Sequence, residues 1–198
     1  AALLPPTGAH LFGHSYGGAV AMQIALRWPE RVASLTLYEP VRFALLARRP
    51  ESASTFEAIV GVGRRIGLDV ISGSLHGAAA RFVDYWSGDG TWARIPAHRQ
   101  QAVAECMPKV QAEFEALFAD RVPAAAYAAL AMPVHLVGGT RSPLPARKVL
   151  DVLAAQMASR ADDSGITFVA FTAPPKTKTM ELFGTRPDSS RPAGKDNL

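Results

Sequence analysis

Cysteine is nearly absent. Cys106 is the single one in 198 residues, which excludes an intramolecular disulfide framework and any Cys-rich zinc site. Long hydrophobic runs are missing too. None approaches the ~20 residues that span a bilayer, so no transmembrane helix is expected. The opening Ala1-Ala2-Leu3-Leu4-Pro5-Pro6 has no initiator Met and no basic stretch of the kind that begins a signal peptide. A processed or fragmentary chain of cytoplasmic origin is the expectation. Charge is sparse: 19% of residues are charged, for a net +4. The basic residues are scattered, as at Arg31, Arg42, Arg48, Arg49, Arg64 and Arg65, and form no aromatic-interleaved basic strip. That pattern describes a mildly basic solvated surface and argues against a nucleic-acid partner. No metal-ligand spacing and no phosphate loop occurs. The expected partner is a small-molecule substrate, with no nucleic acid, no membrane, no metal and no organic cofactor.

Hydrophobic residues are plentiful, at 48%, enough for one domain with a real core. The run His10-Leu11-Phe12 between two glycines reads as a buried strand. From Gly17 to Trp28 the apolar spacing turns helical, and Pro29 follows. Val32 to Tyr38 is β-branched and apolar, a second strand stopped by Pro40. Strand, helix, strand is a βαβ unit, so the sheet is expected to be parallel. Helical stretches follow at 56–66, 78–86 and 99–118. In the last, Val103, Met107, Val110, Phe114 and Leu117 form one apolar face. Pro108 divides it into two helices, with the proline in the first turn of the second. Strand character returns at 132–138, a helix at 144–157, and a final strand at 166–171. The expected organisation is a core part over 1–41, a helical cap insertion over 42–131, a second core part over 132–171, and a disordered tail over 172–198. The tail combines prolines with turn residues and offers little to bury.

Gly13-His14-Ser15-Tyr16-Gly17 fits G-x-S-x-G. Three fixed residues occur by chance in roughly one chain of this length in fifteen, so the motif alone is weak. Its context is specific, because it lies where a strand ends and a helix begins. Such a turn is sharp and holds the serine in a strained conformation. Gly13 and Gly17 are expected to make room for it. The hydroxyl then projects above the carboxyl end of the sheet. The N–H of Tyr16, at the helix start, is free to bond a developing oxyanion.

The segment LFGHSYGGAVAMQIALRWPERVASLTLYEP resembles the α/β-hydrolase fold family from its nucleophile strand through the next strand. The helical block resembles the family's cap, and MPVHLVGGTRSPLP the strand and turn that follow it. The resemblance implies an α/β fold, a mostly parallel sheet with flanking helices, and hydrolysis of a small ester or related carbonyl compound. The path implied is attack by Ser15, proton removal by a His, and release of an acyl-enzyme by water. The resemblance also carries departures. The family's opening strands, which supply a second oxyanion donor, do not precede the motif. The turn after the post-cap strand usually carries an acid in a G-x-x-D pattern, and here Ser142 stands in its place. The catalytic His should follow the last strand. The five histidines are His10, His14, His76, His98 and His135, and none lies beyond.

Some relatives carry the acid at the end of the strand after the nucleophile, which points to Glu39. Its carboxylate would orient a His and stabilise the imidazolium. His14 is expected to pack beside its strand, and His135 to be a core residue. His76 and His98 fall in the cap. Two readings stay open: a serine hydrolase, impaired in this form, or a hydrolase-like binding protein without catalysis.

Overall fold

The computed structural model describes residues 4–158 and 166–171. The tail expected to be disordered lies outside them. Four strands, β1 (Ala9–His14), β2 (Val32–Tyr38), β3 (Val134–Gly139) and β4 (Ile166–Phe171), form one sheet in the order β1-β2-β3-β4. Every neighbouring pair is parallel. The connections carry α1 (Tyr16–Arg27) between β1 and β2, and α6 (Leu144–Ala158) between β3 and β4. Between β2 and β3 come α2 (Ala53–Ile71), α3 (Leu75–Ser87), α4 (Ala97–Glu105) and α5 (Met107–Ala119). Among the described residues, no helix is long and apolar enough to cross a membrane.

The sheet's period-2 pattern sorts its side chains. Leu35, Leu37, Val134 and Leu136 are fully buried on one face, while His10 and Phe12 on the other are exposed. Glycines on the buried face let helices approach. A Cβ on Gly138 would collide with Leu150 of α6, and one on Gly13 would lie 2.6 Å from the backbone of α1.

In the helical block, Phe43 stacks with Trp86 and Phe114, which makes an aromatic centre for α3 and α5. α2 runs past both ends of the 56–66 stretch expected from its spacing. Glycine inside a helix costs about 1 kcal/mol against alanine, yet Gly63 sits where a Cβ would come within 2.8 Å of the Phe118 ring. Close packing therefore overrides the local propensity. The helix ends in a Schellman motif, with Gly73 at φ 78° and the Ser74 N–H bonded to the Asp69 carbonyl at 2.8 Å. As the spacing implied, α4 and α5 are separate, and Pro108 lies in the first turn of α5.

The chain leaves the sheet and returns to it at one buried clasp. Arg42, just past β2, is 3% exposed and pairs with Asp120 at the end of α5. Its guanidinium lies 5.5 Å from the ring centre of Tyr127, on the way back to β3. Burial pushes the Tyr127 phenol far above its ordinary value, against the opposing pull of Arg42. The clasp thus joins residues from both ends of the 90-residue excursion expected from the sequence to be an insertion.

Candidate active site

Ser15 is the single residue between β1 and α1, and its backbone is at φ 52°, ψ −124°. Glu39 immediately follows β2, at φ 45°. Among the described residues these are the two non-glycine positions with positive φ. Conformations of this kind cost on the order of 1–3 kcal/mol each and persist where the surroundings dictate them. His14 and Tyr38 are register partners, so Ser15 and Glu39 leave adjacent strands at the same carboxyl edge. Each donates one last ladder bond to the next strand. The Ser15 N–H reaches the Tyr38 carbonyl at 3.0 Å, and the Glu39 N–H reaches the Val137 carbonyl at 2.8 Å.

Ser15 occupies the N-cap position of α1, where a serine usually spends its hydroxyl on a helix N–H. Here the side chain makes no capping bond. Its carbonyl accepts from Gly18 and Ala19 at 3.0 and 3.2 Å, so the backbone alone starts the helix. The Tyr16 N–H, first in α1, has no intrahelical acceptor by virtue of its position. The Tyr16 ring lies 5.8 Å from Lys109 Nζ, which brings the start of α5 over the start of α1.

The glycines of the turn differ from expectation. Gly13 is indeed crowded, with a Cβ there 2.6 Å from the Gly17 carbonyl oxygen and from Gly18 Cα. A Cβ on Gly17, however, would meet nothing within 4 Å among the described residues. The second crowded glycine is Gly18, whose Cβ would lie 3.0 Å from Pro40 Cβ. Gly17 is the second residue of α1 and faces outward, which frees it from the packing between helix and strands. The run Ser15-Tyr16-Gly17-Gly18 held this signal in its second glycine.

The Glu39 carboxylate is held by β3 and the turn after it. The Gly139 N–H donates to Oε1 at 2.8 Å, and the Ser142 hydroxyl donates to the same oxygen. Sequence reasoning treated Ser142 only as the place where an acid is missing. Its hydroxyl instead meets the nearest available carboxylate. The same turn forms one wall of a cavity of about 510 Å³. Thr55 of α2, Tyr85 and Trp86 of α3, and Arg141, Pro143 and Leu144 line it. Tyr85 lines this cavity, and burial raises its phenol above its ordinary value.

The histidines are dispersed. His14 stacks on Tyr38, with ring centres 4.8 Å apart. His10 hydrogen-bonds Ser34 at 2.7 Å, near the opposite end of β1 from Ser15. His135 sits inside β3 opposite Thr36, half-buried where a buried core residue was expected. His76 packs edge-on to Trp92, and His98 is exposed on α4. Among the described residues, no group of His, Cys, Asp and Glu could hold a metal ion.

Solved structures share this fold. An enol-lactonase from Burkholderia xenovorans LB400 aligns with a TM-score of 0.58 at 17% identity, over 89% of this chain and 62% of its own. A hydrolase from Oleispira antarctica aligns with a TM-score of 0.60 at 12% identity, over 87% and 61%. A hydrolase from Pseudomonas aeruginosa aligns with a TM-score of 0.57 at 20% identity, over 85% and 58%. The chain thus spans about three fifths of the length of these proteins, and at such identities the likeness is one of fold. No curated protein sequence matches. The alpha/beta hydrolase fold profile matches residues 2–161. With its parallel sheet, its strained strand-to-helix turn and that match over most of its length, the chain belongs to the alpha/beta hydrolase fold family.

Proposed function

We propose that this chain carries the nucleophile and acid arms of a serine hydrolase acting on small esters, lactones or related carbonyl compounds. The observation that carries the reading is Ser15, strained at the strand exit with its hydroxyl kept out of helix capping. In this reading Ser15 Oγ attacks the carbonyl carbon and its proton passes to a base. The Tyr16 N–H stabilises the oxyanion, and Glu39 supports the imidazolium. Collapse of the tetrahedral intermediate expels the alcohol and leaves an acyl-enzyme, which water then hydrolyses. The enol-lactonase likeness supports a lactone or ester among the substrate classes. Residues 42–131 act as a cap over a core made of 1–41 and 132–171. The cavity walled by Tyr85, Trp86 and Leu144 supports a small, partly apolar substrate.

The base is the missing part. No histidine follows His135, and none of the five makes a hydrogen bond to Ser15 among the described residues. General acid–base help is typically worth ~10²–10⁴-fold, so this chain by itself turns over esters slowly. The test is p-nitrophenyl acetate hydrolysis by wild type and Ser15→Ala, with fluorophosphonate labelling read by mass spectrometry. Ser15 is the labelled residue, and Ser15→Ala abolishes labelling. Labelling that persists in Ser15→Ala removes Ser15 as the nucleophile. The dispersed histidines also favour a second reading, a hydrolase-like fold that binds its ligand without cleaving it. A wild type that binds esters yet never labels supports that one.

A further inference from the structure

The Glu39 carboxylate is held from outside its own strand, and from one side. Two donors, the Gly139 N–H and the Ser142 hydroxyl, converge on Oε1. A carboxylate offers two oxygens with about four lone-pair sites. Filling both sites of one oxygen fixes the plane of the group and leaves Oε2 to accept from a third donor. The grip is tight, since a Cβ on Gly139 would lie 2.7 Å from Ser142 Oγ and 3.0 Å from Glu39 Oε1. Ser142 is itself fixed, with its N–H bonded to the Gly139 carbonyl at 3.2 Å in the turn that opens α6.

We infer that Ser142 is a positioning residue for the acid arm: its hydroxyl, with the Gly139 N–H, locks the Glu39 carboxylate so that Oε2 faces the imidazole N–H of the base. This rests on the reading of Glu39 as the acid. A hydroxyl suits the task because a carboxylate at position 142 would repel Glu39, while an alanine would let it rotate. Positive φ at Glu39 adds to the need. The backbone turns the side chain toward β3, and the donors on that side hold it there.

The test uses Ser142→Ala, Ser142→Thr and Glu39→Gln in a preparation that supplies the base. Two quantities are read: the second-order rate of fluorophosphonate labelling at Ser15, and the Gly139 amide proton shift by ¹H–¹⁵N NMR. A hydrogen bond to a charged group is worth enough for Ser142→Ala to slow labelling about tenfold. The same change moves the Gly139 amide upfield as the carboxylate swings away. Ser142→Thr keeps the hydroxyl and restores both quantities to near wild type. If Ser142→Ala leaves both unchanged, the inference is overturned. An amide that moves while the rate stays constant also overturns it, because the contact then serves the turn alone. A wild type that does not label at Ser15 overturns the nucleophile assignment instead. In that event an unmoved Gly139 amide in Ser142→Ala still overturns the inference, and a moved one, restored by Ser142→Thr, upholds only the hold on the Glu39 carboxylate.

Discussion

Two turns leave the same edge of the sheet in strained conformations, and they are held there by different means. The Ser15 turn is held by shape. Gly13 and Gly18 let α1 close on β1 and on Pro40, and side chains larger than hydrogen cannot enter. The Glu39 turn is held by hydrogen bonds. Its carboxylate is tied to Gly139 and Ser142, and no glycine stands at its apex. A shape-held turn should fail with small gains in volume and tolerate changes of charge. A bond-held turn should keep its fold when the charge goes, and lose its chemistry.

The largest effect is expected at Gly13. In Gly13→Ala the new methyl presses on backbone rather than on a side chain that can move aside. Overpacking of this kind costs about 1–3 kcal/mol, so the melting temperature should drop by about 2–12 °C. Ser15 labelling should vanish in the same variant. A Gly13→Ala protein that melts and labels like wild type would mean that the turn is not held by shape.

Glu39→Gln should split folding from chemistry. The amide retains one carbonyl oxygen for the Gly139 N–H and the Ser142 hydroxyl, so the melting temperature should stay within about 2 °C. In a preparation where Ser15 turns over, kcat should fall by about 100-fold or more, because the imidazolium loses its counter-charge. A kcat within a few-fold of wild type would move the acid elsewhere, with Asp84 and Asp89 next to be tried. Asp84 already accepts the Trp92 N–H at 2.7 Å, which makes it the weaker alternative.

The smallest effect, and the sharpest contrast with Gly13, belongs to Gly17. It lies in the helix with open space at its Cβ position. Alanine there gains helix propensity of up to about 1 kcal/mol, and calorimetry should show equal or slightly raised stability. A clear loss would show that Gly17 is crowded by something the described residues do not include.

Much of this was legible before any coordinates. The four strands and the parallel sheet followed from short apolar runs punctuated by Gly and Pro. The place of Ser15 at a strand exit followed from a motif at a change of period, and that of Glu39 from its position at a strand end. What stayed hidden was pairwise. Gly18 matters through Pro40, 22 positions away, and Ser142 through Glu39, 103 positions away. No local pattern encodes either contact.

The separations also bear on the order in which the site comes together. The bond from Ser15 to Tyr38 is closed within the first forty residues of the chain. The bond from Gly139 to Glu39 closes across 100 residues, with four helices in between. Loop-closure entropy makes the longer loop about 1 kcal/mol more costly, and contacts of high separation form late. The Ser15 turn is therefore expected to form early in folding, and the Glu39–Gly139 contact late, once the whole excursion has collapsed. A partly folded molecule would then carry a formed Ser15 turn before the Glu39 carboxylate is tied to Gly139.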